Sequence, residues 1–421
     1  MNQKNRDLVF HESTGKAGDT FIGIKALGNK IEFSYPSFFD FRLDAKDWRK
    51  QIIAIISSLK IAKTQSKETS SIYKARSDSQ DFALNSYLWI INDWLNHGLY
   101  RNVEKIFRHD ASGRIDWKRT LQTTPSVSKN GNVVYLNFVS QVSSPVDNLI
   151  VEIHKFCVKK SIDYIGWLFG LDSSSIETAP FNSFKKVEYI SMLDSELEKT
   201  FDDDKKELLA HMKDVILGLD SSQQNNDFVY GVDNYYYVYE RMVDYLFNGE
   251  TDISKYYPKG MWKLVNRPTP FDSSNLRPDS IFLHKNNGKT DVYILDSKYY
   301  EFGLTGNICD LPETTSIQKQ ITYGEYIKKN FKALDINKIF NVFVLPYRKS
   351  AGPYKSDKNL QYIGIAYSTW KGNETNEDVV YAFLLDLKYL VMTWYLRNRS
   401  DENDVLILEI SKHLEDYKEE G

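Results

Sequence analysis

The segment RPDSIFLHKNNGKTDVYILDSKYY, residues 277–300, narrows the possible folds of this chain more than any other stretch. Two half-apolar runs flank Asn287-Gly288, the residue pair most favoured in two-residue β-hairpin loops, where both central positions need positive φ. With that pair as the loop, Asn286 faces Lys289, His284 faces Asp291, and Asp279 faces Asp296. Facing residues have Cβ atoms about 5 Å apart, so two carboxylates placed there repel unless something neutralises them. A divalent cation would do so. Side chains alternate along a strand, so Lys298 projects from the same face as Asp296. Pro278 suits the first position of a strand.

Phosphodiester hydrolysis needs this combination: a metal to activate water and neutralise developing charge, and a cation or base beside the attacking water. Oxygen ligands favour a hard ion, Mg2+ foremost with Mn2+ as a substitute. The pattern Pro-Asp followed by Asp-x-Lys is that of the PD-(D/E)xK nucleases. Alone it is common, and Asp386-Leu387-Lys388 inside AFLLDLKYL repeats Asp-x-Lys. That second copy lacks a Pro-Asp strand at hairpin distance and is expected to be a strand or helix edge with solvated charges.

Two features favour the first copy. Glu240 lies in the aromatic-rich helical stretch NYYYVYERMVDYLF, where it is either a third acid of the site or an exposed charge beside core tyrosines. Downstream, Thr315 and Gln318 have capping-box spacing and predict a helix start, after which Gln320, Tyr323 and Ile327 share one face.

The succession RPDSI, YILDSKYY and a helix carrying Gln320 and Tyr323 resembles the nuclease subunits of McrBC-type restriction systems, and among them the LlaJI-like restriction endonucleases, which also have a segment like GRIDWKRTL, here Gly113 to Leu121. The resemblance spans about residues 80 to 400. It implies Asp279 and Asp296 as metal ligands, Lys298 as catalytic lysine, Glu240 as the acid of the first core helix, and Gln320 and Tyr323 as a supporting motif. Ser297 joins the expected metal-binding set. Asp stands at 296 where many members of the wider superfamily have Glu. The implied fold is α/β (α+β): a restriction-endonuclease-like core with a mixed sheet flanked by helices, plus an N-terminal α+β domain. The implied partners are double-stranded DNA and a separately encoded McrB-like AAA+ GTPase or ATPase, with a homodimer as one route to double-strand cleavage. No G-x-x-x-x-G-K-[ST] loop occurs in this chain.

Elsewhere, apolar spacing predicts helices over residues 81–98, 146–169, 202–217, 234–247 and 316–331, and a strand near 132–139 follows Asn130-Gly131. NKIFNVFVLPY and LQYIGIAY are further apolar runs, and residues 384–415 read as helical and charged. The polar stretch Ser221 to Asp227 divides a recognition or partner-docking region, residues 1–220, from a nuclease domain, residues 221–421. Arg101, Lys105, Arg108, Arg114, Lys118 and Arg119 cluster around Trp117, with Arg114, Lys118 and Arg119 the candidate DNA contacts. A solvated face flanking a buried tryptophan, or a partner-docking face, fits them equally.

The net charge of −3 excludes a chain that coats nucleic acid by bulk charge. Cys157 and Cys309 lack metal-ligand spacing and His154 has no further ligand-type neighbours, so reduced thiols in a cytoplasmic protein are expected. The N-terminus MNQKNRDLVF has no apolar signal core, and no apolar run reaches the roughly 18 residues of a membrane span. Two other functions fit the same residues: a stand-alone sequence-specific type II endonuclease, and a non-catalytic DNA-binding or assembly subunit that keeps the fold.

Overall fold

The structure, a computed structural model, describes residues 7–414 apart from 29, 45, 65–83, 101–102, 109–113, 130–131, 136, 146–148, 220–227, 332–333, 372–374 and 400. The chain forms two compact units, Met1–Asp78 with Asp227–Gly421, and Ser79–Asn226. The expected boundary residues Ser221–Asp227 lie outside the described residues, as do Arg101 and the Asn130-Gly131 pair. The first 78 residues group with the C-terminal part, whereas the sequence suggested one region over residues 1–220.

The first unit opens with β1 (Asp7–Ser13), β2 (Ile22–Leu27), β3 (Lys30–Pro36) and α1 (Trp48–Thr64). The second unit holds α2 (Leu84–His97), β4 (Val103–Arg108), β5 (Arg114–Ile115), α3 (Trp117–Thr123), β6 (Ser126–Lys129), β7 (Asn132–Tyr135), β8 (Ser140–Pro145), α4 (Leu149–Ile165), α5 (Lys186–Lys199) and α6 (Asp203–Leu217). Helix α6 begins as its acidic start predicts, since the Asp202 side chain accepts from the Asp204 and Lys205 amides. The strand expected over 132–139 is shorter, ending at Tyr135 and pairing with β6. Cys157 is buried in this unit and Cys309 exposed in the first, both as free thiols.

The chain returns to the first unit with β9 (Phe228–Val232), α7 (Tyr236–Leu246), β10 (Lys259–Leu264), β11 (Arg267–Asn275), β12 (Ser280–Asn286), β13 (Lys289–Ser297), α8 (Phe302–Thr305), α9 (Thr314–Asn330), β14 (Ile336–Tyr347), β15 (Leu360–Tyr367), β16 (Val379–Asp386), α10 (Leu387–Leu396) and α11 (Glu402–Lys412). Strand β9 completes a four-stranded sheet in the order β1-β3-β2-β9. Gly23 faces Gly231 across β2 and β9. A Cβ on Gly231 would sit 2.4 Å from the Ile22 carbonyl oxygen, so the close approach of these strands requires glycine there.

The second sheet of this unit positions the candidate site. Its order is β12-β13-β14-β16-β15, with β13, β14 and β16 parallel and both edges antiparallel. The hairpin β12–β13 keeps the register that Asn-Gly dictates: Asn286 pairs with Lys289 and His284 with Asp291. Asn287 at φ 50 and Gly288 at φ 84 are both left-handed, as this turn needs. Strands β13, β14 and β16 are near-continuous apolar runs because both their faces are covered. On one face Ile281, Val292, Ile294 and Ile339 pack with Tyr323 and Ile327 of α9. On the other, Phe282 stacks on Tyr293 and Tyr293 on Phe340, at centroid distances of 4.6 and 4.8 Å.

Two local expectations change. Helix α9 starts at Thr314 behind Glu313, with no side-chain cap bond, so Thr315 and Gln318 do not form a capping box. Pro278 and Asp279 precede β12, whose first residue is Ser280. Among the described residues, no helix is long and apolar enough to cross a membrane.

Candidate active site

The open end of the β12–β13 hairpin gathers the acids. Ladder pairing stops at Ser280–Leu295, and Asp279 continues one position beyond, its Oδ2 accepting a 2.7 Å hydrogen bond from the Ser297 amide. Asp296 is buried at 2% side-chain exposure, and Lys298 Nζ lies 2.5 Å from its Oδ2 with 13% exposure. The Lys298 amide donates to the Val344 carbonyl on β14, so the lysine backbone is fixed by the sheet that fixes Asp296.

Helix α9 braces the same spot. Gln320 Nε2 donates to the Ile294 carbonyl at 2.7 Å, two residues before Asp296. The Tyr323 hydroxyl and Gln320 Oε1 are buried without a hydrogen-bond partner among the described residues, and burial, then the charges of Asp296 and Asp279, raises the Tyr323 pKa. Glu240 comes from α7 into this electrostatic field. Burial and then Asp296 push its pKa up to about 7, while Lys298, Arg241 and Lys319 pull the other way. Asp279 is raised well above the usual carboxylate range by burial, then by Asp296 and Glu240. Burial opposes the Lys298 charge, but the contact with Asp296 offsets it and the pKa rises.

A buried acid elsewhere on the hairpin behaves differently. Asp291 accepts from Asn286 Nδ2, Asn337 Nδ2 and the Lys338 amide at 3.1, 2.8 and 3.1 Å. That carboxylate is satisfied by neutral donors, whereas Asp279, Asp296 and Glu240 share one lysine and one another's repulsion. Such mutual frustration marks functional sites more often than structural ones.

Among the described residues, no group of three or more His, Cys, Asp or Glu is disposed to hold a metal by itself. Asp279 and Asp296 are the carboxylates here that could contribute to a site for a hard, oxygen-preferring ion.

A cleft of about 370 Å³ opens beside the site, lined by Glu240, Ser297 and Lys298 and, across it, by Ser13, Thr14 and Phe38. No local motif encodes that the first strands wall this cleft. The only hint lay in aromatic density: Phe38, Tyr235 and Tyr239 each pack on Tyr299, directly after Lys298.

The second Asp-x-Lys is structural. Asp386 caps α10 through the Tyr389 amide at 2.7 Å and accepts from the Lys349 amide, while Lys388 Nζ donates to the Asp40 carbonyl. Its junction position matches expectation, but Asp386 is 4% exposed rather than solvated. In the second unit Arg114, Lys118 and Arg119 are exposed on β5 and α3. Asp116 caps α3 and lies 3.7 Å from Arg119 Nε, and Trp117 is 55% exposed rather than buried.

A mixed α+β protein with carboxylates and a lysine gathered where strands of a helix-covered sheet end is the class defined here. The chain belongs to the LlaJI restriction endonuclease family, whose pattern matches residues 21–388. It is similar to the type II restriction enzyme BsuMI component YdjA of Bacillus subtilis (strain 168), 23% identical over 368 residues that cover 84% of this chain and 77% of the relative. Among solved structures it matches a chain from an assembly of Thermococcus gammatolerans McrB AAA+ hexamers with bound McrC, at 14% identity, TM-score 0.38, and 87% and 77% coverage. A second match, in the McrBC complex of the same organism, has 15% identity, TM-score 0.23, and 53% and 64% coverage.

Proposed function

We propose that this chain is the nuclease subunit of a restriction system and hydrolyses phosphodiester bonds of double-stranded DNA at a PD-(D/E)xK site. The observation that carries the reading is the three-carboxylate field around Lys298, in a chain of a restriction endonuclease family. Asp279 and Asp296, with Glu240 and Ser297 at the margin, would hold Mg2+ or Mn2+. When bound, the cation supplies charge neutralisation at the phosphate and a more acidic water. Lys298 holds a proton donor beside the reacting phosphate, Asp296 keeps that ammonium charged and aimed, and Gln320 fixes the strand that carries both. The cleft beside Glu240 and Lys298 gives the phosphate its approach.

The chain acts with a nucleotide-hydrolysing AAA+ partner in this reading. Support comes from the resemblance to McrBC-type nuclease subunits, from the missing P-loop, and from the similarity to a protein described as a component of a restriction enzyme. The purified chain with Mg2+ is expected to cut DNA poorly alone and to gain activity when the partner and its nucleotide are added. Robust site-specific cleavage by the lone chain would instead establish a stand-alone endonuclease.

Arg114, Lys118 and Arg119 contribute non-specific phosphate contacts. Replacing all three by alanine is expected to weaken DNA binding and to flatten its salt dependence by roughly one unit of log-log slope per lost contact. An unchanged slope in the triple variant would assign that face to another task.

A further inference from the structure

Strands β10 and β11 form a two-stranded ribbon separate from both sheets of their unit. Every residue of β10 is exposed, including Met261 and Trp262 at 57% each, and Val265 at the turn is fully exposed. An isolated two-stranded ribbon is marginally stable in water, and apolar side chains on both its faces invite association. Its base, by contrast, is firmly held. Tyr256 and Tyr257 before it are buried in the core with Ile281 and Tyr323, and Pro278 after it is buried beside Asp279. An arm with a fixed root and no core of its own is built to be covered by something else.

Charge selects the occupant. Between residues 259 and 277 stand Lys259, Lys263, Arg267 and Arg277 against the single acid Asp272, a local basic excess in a chain of net charge −3. Asp272 is paired with Lys259 at 3.4 Å, and the Arg267 guanidinium lies over the Phe271 ring, 4.5 Å from its centroid. A major groove about 12 Å wide admits a two-stranded ribbon, and apolar tips wedge against base steps in DNA-bending proteins.

We infer that the β10–β11 ribbon is a DNA-binding arm that seats in a groove of the duplex beside the phosphate to be cut. Lys263 and Arg267 contact the backbone, and Trp262 and Val265 press on the base edges. The inference rests on the nuclease reading and deepens it, because the chain runs from the arm through Arg277 and Pro278 directly into Asp279.

The test is an anisotropy titration of a fluorescent 30-base-pair duplex with the full chain across a range of NaCl concentrations without divalent cation, run beside a cleavage assay with Mg2+, partner and nucleotide. Lys263→Ala with Arg267→Ala should weaken binding about 10-fold or more and lower the log-log salt slope by about 2. Lys263→Arg with Arg267→Lys should keep the parent slope, and Trp262→Ala should weaken binding with the slope unchanged. Should the point variants fail to fold, replacing Met261–Asp272 by a Gly-Ser linker gives the same reading. Parent-like affinity and slope in the double-alanine or linker variant overturn the arm, as does a parent that binds no duplex. Normal DNA binding with lost partner stimulation also overturns it and makes the ribbon a protein-docking surface. A parent that cuts while the ribbon variants bind normally leaves the nuclease reading standing, whereas a parent that never cuts removes that reading itself.

Discussion

Asp296→Asn and Asp279→Asn each lose cleavage by on the order of 10²–10³-fold or more, the scale for removing one well-placed electrostatic contact in a transition state, and both weaken Mg2+ or Mn2+ binding. Lys298→Ala loses cleavage to a similar extent but still binds the cation, because an ammonium cannot ligate a metal and the proposed role of Lys298 is toward the phosphate. All three variants fold. In the aspartate variants Asp279 or Asp296 remains to partner the Lys298 ammonium, and losing one of several mutually repelling acids offsets the broken pair, whereas Lys298→Ala leaves the acids without their lysine and melts lower in metal-free protein. Lys388→Ala leaves cleavage intact, since that lysine donates to the Asp40 carbonyl and lies over the Phe39 ring, away from the acids of the hairpin. The measurements are one cleavage assay, one metal titration and one thermal melt on the variants and parent. Loss of cleavage in Lys388→Ala but not in Lys298→Ala would move the active site to the other strand.

The second large effect is on stability against pH in metal-free protein. Glu240 has its pKa raised to about 7 by burial and Asp296, from 4.5. A carboxyl raised on folding binds its proton more tightly in the native state, so its contribution is complete below pH 4.5 and is lost as pH climbs through about 7. Asp279 is raised as well and acts in the same direction. The parent is therefore expected to be less stable at pH 8 than at pH 5, by on the order of 1–2 kcal/mol from Glu240 after discounting for its partial exposure. Glu240→Gln should flatten that dependence, and Mg2+ should restore stability selectively at pH 8. Denaturant melts at the two pH values decide it: a parent whose Mg2+-free stability does not fall with pH would place Glu240 outside the acid field.

The hairpin could be read from the sequence because its determinants are local. Asn287-Gly288 sets the turn, the turn sets the register, and two-residue alternation puts Asp296 and Lys298 on one face. The helix bearing Gln320 and Tyr323 was equally legible, since its buried face follows helical spacing. Glu240 was less so: α7 must cross the sheet at the right height to bring it near Asp296, and nothing within the helix encodes that height. Asp386 misled for the converse reason, because a capping acid and a catalytic acid look alike until the Tyr389 and Lys349 amides are in place. The wall of the cleft around Ser13 and Phe38 was illegible, because it belongs to a sheet completed by a strand far along the chain.

That late completion has a cost during synthesis. Strand β2 emerges early, but its partner β9 is made only after the whole of the second unit. At about 5–20 residues per second the ribosome needs roughly 10–40 s to cover the ~200 residues between them. Throughout that interval one edge of β2, with Ile22 and Ile24, has nothing to pair with, the condition under which nascent strands capture wrong partners. The close fit of Gly23 against Gly231 acts against this, since a strand with a side chain at the facing position would clash where β9 does not.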